Sequence, residues 1–412
     1  MRSLNKNLTG HISSVSVWLA CMMAVVSMKP WFAWDFPFDT LLSILFIVCR
    51  LPLLQKNNTI RNLLLVEGFL VFSAFYMQLF QIPIKISAIR VIVTVVPISL
   101  FLLTTAAEKR LFINRLIKIY SLILLVSLIG FTLKTVGVEL PYSILNNPNP
   151  FYSAYKNYYF FTVYQDLDLF TRFTGIFAEP GHVGMISAIL LYVNGLSLKR
   201  ASNVIMTIAL IWSFSLAGFL IYAIGLTIYL ILKSNYPIRA LMKVMLGFGC
   251  IVGVAMATYS PSNDDIVTQL ILKRLEFDSS KGLAGNNRNT GNFDNIYSNF
   301  MQNHKVVIGM GSEEYGRKFY GTANSSYKTF IMEYGWGATV MLLLFMLLCL
   351  IVYPSRIGFG LFCLIVISFI QRPYFLWFIE CFAYIVAISE FYIGRQTNNQ
   401  SISENQAVIY SS

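Results

Sequence analysis

The stretch TFIMEYGWGATVMLLLFMLLCLIV, residues 329–352, carries a single charged side chain, Glu333, near its start. About 20 predominantly apolar residues cross the hydrocarbon core of a bilayer as one helix. This run is long enough to do so, and comparable runs surround it. They fall at about 12–28, 38–54, 62–82, 86–106, 112–133, 180–198, 202–217, 218–232, 240–259, 357–371 and 374–393. Hydrophobic residues make up 56% of the 412-residue chain and charged residues only 12%, against roughly 25% charged in ordinary globular proteins. A globular chain of this length has too little interior to hide so much apolar surface, whereas a bilayer absorbs it span by span. The expected fold is all-α: a polytopic integral membrane protein of about twelve transmembrane helices, with residues 1–412 as one membrane domain.

The pair 202–217 and 218–232 is long for one helix and short for two. Ser213, Ser215 and Gly218 mark its break, which is either an interruption of one helix or a turn between two spans. The segment Met1–Ser27 has a basic start (Arg2, Lys6) and an apolar run but no A-x-A cleavage site, so it reads as an uncleaved first span. All six cysteines (Cys21, Cys49, Cys250, Cys349, Cys363, Cys381) lie in apolar stretches, which predicts buried thiols rather than a disulfide framework or a metal site.

The net charge of +12 could suggest nucleic acid, but the basic residues are arranged for topology. Cytoplasmic loops of membrane proteins carry an excess of Lys and Arg. With the N-terminus inside, the inner segments hold Arg2 and Lys6; Arg50, Lys56 and Arg61; Lys109, Arg110, Arg115 and Lys118; Lys199 and Arg200; Lys233, Arg239 and Lys243; Arg356; and Arg395. The short outer loops hold little more than Lys29, Lys85 and Arg372. Both termini are thus expected in the cytoplasm, with a polar tail at about 396–412 and two long outer loops at about 134–179 and 260–328.

Function is expected in those loops. The second nearly balances its bases (among them Arg274 and Arg288) against its acids, and it is too long to be a plain connection. The first contains FYSAYKNYYFFTVYQDLDLF, residues 151–170, either an aromatic belt at the membrane surface or a platform over a site.

The sharpest stretch is Arg172-Phe-Thr-Gly-Ile-Phe-Ala-Glu-Pro-Gly-His-Val-Gly184. Glu179 before Pro180 reads as a helix start, because Pro in the first turn loses no hydrogen bond. That helix end, entering from outside, attracts phosphate or carboxylate, and Arg172 upstream can grip a phosphate with its planar fork. Glu179 and His182, three apart, are expected on one face. The plainer alternatives are Arg172 as a headgroup anchor, Glu179 as a helix cap and His182 as a core histidine. Of the other two histidines, His11 belongs to the first span and His304 is a second outer candidate. Ionisable residues within spans are functional hypotheses in their own right. Arg90, near the outer end of its span, can join an outer phosphate site. Glu67 and Glu390 lie near inner ends, and Glu380, close in sequence to Gln371-Arg372-Pro373-Tyr374, is expected to pair with a buried arginine. Neither a phosphate-binding loop of the G-x-x-x-x-G-K-[ST] kind, nor H-E-x-x-H, nor a Cys/His ligand cluster occurs.

With those residues in place, R-x-x-G-x-x-x-E-P-x-x-x-G (Arg172, Gly175, Glu179, Pro180, Gly184) resembles the signature of bacterial O-antigen and capsule repeat-unit polymerases of the Wzy type. The later order resembles it too: Arg288 in the long loop, then Val-Ile-Gly-Met-Gly at 307–311, Ala323-Asn-Ser-Ser-Tyr327, and Met332-Glu-Tyr-Gly335 entering a span. Related O-antigen ligases usually show a His-Asn pair before that last helix. Asn324-Ser325 stands here instead, which favours polymerase over ligase.

The resemblance implies a glycosyltransferase of the bacterial inner membrane. It would join oligosaccharide repeat units carried on undecaprenyl pyrophosphate at the periplasmic face, with no cofactor and no metal. It implies Glu179 or His182 as base, with Arg172, Arg288 and Arg90 neutralising pyrophosphate. Second-rank candidates are His304, Asn324, Glu333 and Arg274. Implied partners are the bilayer, the lipid-linked oligosaccharides and the pathway's chain-length regulator and flippase; nucleic acid is not among them. An O-antigen ligase remains open, as does a flippase or transporter of lipid-linked units, although the chain lacks the internal repeat common in transporters.

Overall fold

The computed structural model describes residues 2–56, 68, 84–146, 154–164, 172–236, 238–239, 241–242, 246, 277–278, 282–283, 293–319, 326–372, 374 and 376–389. The expected spans 62–82 and 240–259 lie almost wholly outside these residues. So do Arg274, Arg288, Asn324 and Cys250.

The chain is mostly helical. Helices α1 (Arg2–Val26), α2 (Phe38–Arg50), α3 (Ile84–Leu102) and α4 (Ala106–Thr135) come first. Then follow α5 (Pro180–Val193), α6 (Ala201–Trp212) and α7 (Leu216–Lys233). The second loop contributes α8 (Phe293–Met301) and α9 (Ser312–Phe319). The last elements are α10 (Tyr327–Val352), α11 (Arg356–Gln371) and α12 (Phe378–Ser389).

Among the described residues, α4, α7 and α10 are long and apolar enough to cross a membrane. The apolar parts of α1 and α3, and the whole of α5, α6, α11 and α12, are shorter. Apolarity is not confined to one face: on α4, Phe112, Leu116, Tyr120, Leu124 and Phe131 are buried while Leu122 and Ile129 project outward. A helix apolar on all sides belongs in a protein core or a bilayer.

The first span begins earlier than its apolar run, at Arg2, and the run at 86–106 stops at Leu102. A capping box explains the stop: Thr105 Oγ1 accepts from the Glu108 amide and Glu108 Oε2 from the Thr105 amide, so a new helix nucleates there. Lys109 then donates to the Leu102 carbonyl at 2.9 Å, satisfying a buried carbonyl at the end of α3. At the same end of the bundle Arg50 of α2 pairs with Glu108 at 2.7 Å, and Ser13 of α1 donates to the same carboxylate at 2.5 Å.

The ambiguous stretch 202–232 forms two helices running in opposite directions. Asn203 of α6 accepts a bond from Asn194, beyond the end of α5, and Trp212 bonds Phe173, before its start, so α6 is antiparallel to α5. Gly218 of α7 instead lies beside Gly184 and Gly225 beside Tyr192, so α7 runs parallel to α5. A Cβ on Gly184 would lie 2.5 Å from that of Ser215, and one on Gly218 would lie 2.7 Å from the Gly184 carbonyl carbon. Small residues let helix backbones approach this closely where lipid supplies no hydrophobic drive.

The helical frame agrees with the all-α expectation, and both long loops add small sheets. In the first, β1 (Ser143–Leu145), β2 (Tyr155–Asn157) and β3 (Thr162–Tyr164) form an antiparallel sheet in that order. Tyr, Thr and Val favour the pleated surface. The second has a two-stranded ladder, β4 (Phe277–Asp278) and β5 (Gly282–Leu283). There, Phe293, Tyr297, Phe300 and Phe319 build a second small core against Ile331 and Met332 of α10.

Helix α10 is broken at Gly335, whose φ is 80°. The break frees the carbonyls of Met332 and Glu333 and the amide of Gly337. Segment 307–311 takes all three: Met310 N–H to Met332 O at 2.8 Å, Gly311 N–H to Glu333 O at 3.0 Å, and Gly337 N–H to Val307 O at 2.9 Å. Gly309, with φ 79°, lies against the Glu333 carbonyl, and Gly335 against that of Val307, leaving no room for a side chain on either. The two motifs Val307–Gly311 and Met332–Gly335 thus form one joint.

The five described cysteines are free thiols. Cys21 and Cys349 are buried, while Cys49, Cys363 and Cys381 are partly covered.

Candidate functional site

The start of α5 and the end of α11 meet on the side of the bundle that carries the two long loops. Pro180 opens α5 at its first turn and holds Glu179 extended before it (φ −143°, ψ 146°). That is the N-cap position, yet the Glu179 side chain makes no capping hydrogen bond. It turns instead to Arg372, the residue that ends α11, and the two form an ion pair. The side chains are 12% and 9% exposed, so the pair is nearly closed off from water. The expected pairing of Glu380 with a buried arginine is not found among the described residues. Glu380 accepts from Ser368 at 2.9 Å, and its second carboxyl oxygen has no hydrogen-bond partner among the described residues.

The small sheet of the first loop lies over this pair. The Tyr155 and Tyr164 hydroxyls both donate to the carbonyl of Ala178, at 3.0 and 3.2 Å, next to Glu179. The Tyr164 hydroxyl is pushed up to about 12, first by burial and then by the Glu179 charge, with Arg372 and Arg172 acting in the opposite sense. The aromatic loop is thus divided. Tyr155 is fully buried against Trp34 and Tyr164, while Tyr159 and Phe160 protrude at the turn.

His182, one turn into α5, is buried, with Nδ1 3.1 Å from the Met28 carbonyl. A carbonyl only accepts, so Nδ1 carries the hydrogen. The ring stands edge-on to Tyr374 and Trp377, which are stacked at 3.7 Å. Glu179 and His182 are therefore a turn apart, engaged by Arg372 and Met28 respectively.

Arg172 reaches the turn between α6 and α7. Its Nε and Nη2 donate to the carbonyls of Ser213 and Phe214, at 3.0 and 2.8 Å, and so hold the turn between α6 and α7. Gly175 lies in the left-handed region at φ 56°, where the chain turns back toward α5. Arg90 belongs to α3, but its side chain lies outside the described residues. His304 is exposed in a short 3-10 turn. Glu333 lies at the α10 joint beside Tyr315 of α9, whose hydroxyl is pushed upward by burial and then by the Glu333 charge. The joint and the ion pair are neighbours through α10 and α11, with Phe330 and Phe369 in edge contact at 5.3 Å.

Sequence reasoning missed Tyr155, Tyr164 and Tyr315 as individual members and did not name Arg372 as the partner of Glu179. One signal was available. Arg372 is among the few basic residues in the short outer loops, against the general charge bias.

No known protein family, curated protein or solved structure matches this chain.

Proposed function

We propose that this protein is a glycosyltransferase that polymerises oligosaccharide repeat units carried on undecaprenyl pyrophosphate. The product is a bacterial surface polysaccharide, O-antigen or capsule. In this reading the chain crosses the inner membrane about twelve times, keeps both termini in the cytoplasm and works at the periplasmic face.

The observation that carries the reading is the buried Glu179–Arg372 pair, in the segment whose residues resemble the polymerase signature and under a roof of tyrosine hydroxyls. It supplies a carboxylate to take a proton and a guanidinium to meet phosphate. An acceptor sugar hydroxyl attacks the anomeric carbon of the growing chain. A new glycosidic C–O bond forms while the bond from that carbon to the pyrophosphate oxygen breaks, and the electron pair leaves with the lipid pyrophosphate. Glu179 accepts the hydroxyl proton, a contribution of roughly 10²–10⁴-fold for a positioned base. Fixed cations aimed at the developing charge usually lower the barrier further than the base does. Arg288 and Arg90 are assigned to that charge by the resemblance, and Arg172 acts by fixing the α6–α7 turn beside the motif.

Deleting the gene and examining the lipid-linked and surface glycans tests the reading. Surface glycan reduced to a single repeat unit is the expected result. Free carrier-linked polymer would make the protein a ligase, and unflipped repeat units inside the cell would make it a flippase.

A further inference from the structure

We infer that an aromatic rim built by segments 31–38 and 158–161 is a lipid-contact surface. It seats in the headgroup layer of a bilayer, on the side of the two long loops. The inference rests on α4 and α10 crossing that bilayer, and not on the identity of any substrate.

Trp31 joins the two segments. Its indole N–H donates to the Tyr159 carbonyl at 3.0 Å, and its amide donates to the Ile176 carbonyl at 2.9 Å. From Trp31 the rings run on through Phe32, Phe38 and Phe36, each meeting the one before it, at 5.8, 6.2 and 4.6 Å. Four side chains project from this chain of rings: Phe32, Phe36, Tyr159 and Phe160, between 44% and 60% exposed. The turn that carries the last two is fixed. Tyr159 holds a φ of 67°, its amide donates to Asn157 Oδ1, and Ser127 of α4 donates to the Phe160 carbonyl. A strained backbone that keeps apolar rings outward is a mark of a contact surface.

Depth and chemistry select lipid as the occupant. The turn docks on α4 near its loop-side end, where a Cβ on Gly130 would lie 2.9 Å from the Phe161 ring. Lys134, one turn further along α4, is the first charged residue after the apolar stretch. The turn therefore lies at the edge of the hydrocarbon, where aromatic rings collect. From Phe36 and Phe38 the rim continues into the outward apolar flank of α2, formed by Leu41, Ile44, Leu45 and Val48. A sugar site would need hydrogen-bonding groups placed beside its rings. Here both indole N–H groups are committed to backbone, Trp31 to Tyr159 and Trp34 to the Lys29 carbonyl. Three of the four projecting rings are phenylalanine. Lys29, exposed beside the rim, supplies a cation for lipid phosphate.

The same segments carry the tyrosine roof on their other side. Tyr155 meets the Trp34 ring at 5.1 Å and donates to the Ala178 carbonyl beside Glu179. Lipid contact at the rim thus sets the height of the roof over the ion pair.

Photocrosslinking tests the contact. The full chain carrying Phe160→p-benzoylphenylalanine, or separately Phe36→p-benzoylphenylalanine, is placed in nanodiscs of phosphatidylethanolamine and phosphatidylglycerol. Both positions are exposed and the probe keeps a ring there, so the fold is retained. Irradiation should give phospholipid adducts by intact mass at both positions, as abundant as those from the same probe at Leu347, exposed on α10. Adducts at Leu347 with none at Phe36, or none at Phe160, break the shared rim and overturn the inference. No adduct at Leu347 either removes the membrane placement, and the inference falls with it. Glycan adducts at Phe160 in native membranes, in place of phospholipid, would make the rim a sugar platform and overturn it too. The nanodiscs contain no glycan, so this test succeeds or fails separately from the gene-deletion test of polymerisation.

Discussion

His182 and the carbonyl of Met28, 154 positions apart in the chain, are joined by a hydrogen bond of 3.1 Å at Nδ1. The bond ties α5 to the end of α1 one turn below the Glu179–Arg372 pair. It commits one ring nitrogen to structure, and the edge contacts with Tyr374 and Trp377 fix the ring plane.

His182→Leu leaves the Met28 carbonyl buried without its donor, a loss of about 1–3 kcal/mol. Thermal unfolding in detergent should register it. His182→Gln retains an N–H donor and should be milder in stability. If chain growth in His182→Gln falls much further than stability does, the imidazole also acts in the chemistry.

Glu179→Asn is the sharper test of the motif. Asn is as good a helix cap as any residue, and the Glu179 side chain makes no cap bond to lose. The start of α5 should therefore survive, while the substitution leaves Arg372 buried without its counter-ion. Breaking one side of a buried pair costs about 3–5 kcal/mol. Glu179→Asn should thus insert but unfold more easily, and it should stop chain growth on a glycan ladder gel. The double variant Glu179→Gln, Arg372→Gln should recover part of the stability and none of the growth. Normal ladders from Glu179→Asn at normal protein levels would remove Glu179 from the mechanism.

The joint in α10 makes a separate prediction. Gly335→Ala and Gly309→Ala each place a Cβ against a backbone carbonyl and force a non-glycine residue to positive φ. Strain of that kind is worth about 1–3 kcal/mol. Either variant should loosen the 293–319 segment from α10, read as faster trypsin cleavage at Lys305, Arg317 and Lys318 in otherwise folded protein.

Topology is testable without any function. Reporter fusions at Asn147 and Asn287 should read outside, and those at Lys199 and Ser412 inside. An inside signal at Asn287 would overturn the orientation on which the proposed function depends.

Much of the helical frame was legible because periodicity and apolar run length are local properties. The starts of α5 at Pro180 and of α11 near Arg356, and the interruption at Ser213–Ser215, could all be read from a few neighbouring residues. The Glu179–Arg372 pair could not, because it joins positions 193 apart and neither residue's neighbours name the other. The same holds for Arg172. Its bonds to the carbonyls of Ser213 and Phe214, about forty positions on, left no mark in the neighbouring sequence. The Gly335 break lay hidden inside a run that is apolar apart from Glu333, because a kink with a docked partner leaves no mark on hydropathy.

The joint between 307–311 and α10 is built from peptide groups, and no side chain takes part in its three hydrogen bonds. Inheritance can therefore act on it unevenly. Val307, Ile308 and Met310 are exchangeable without loss of any of those bonds, whereas Gly309 and Gly335 must persist together. The segment carried by the joint can then change its surface side chains while its attachment to α10 stays the same.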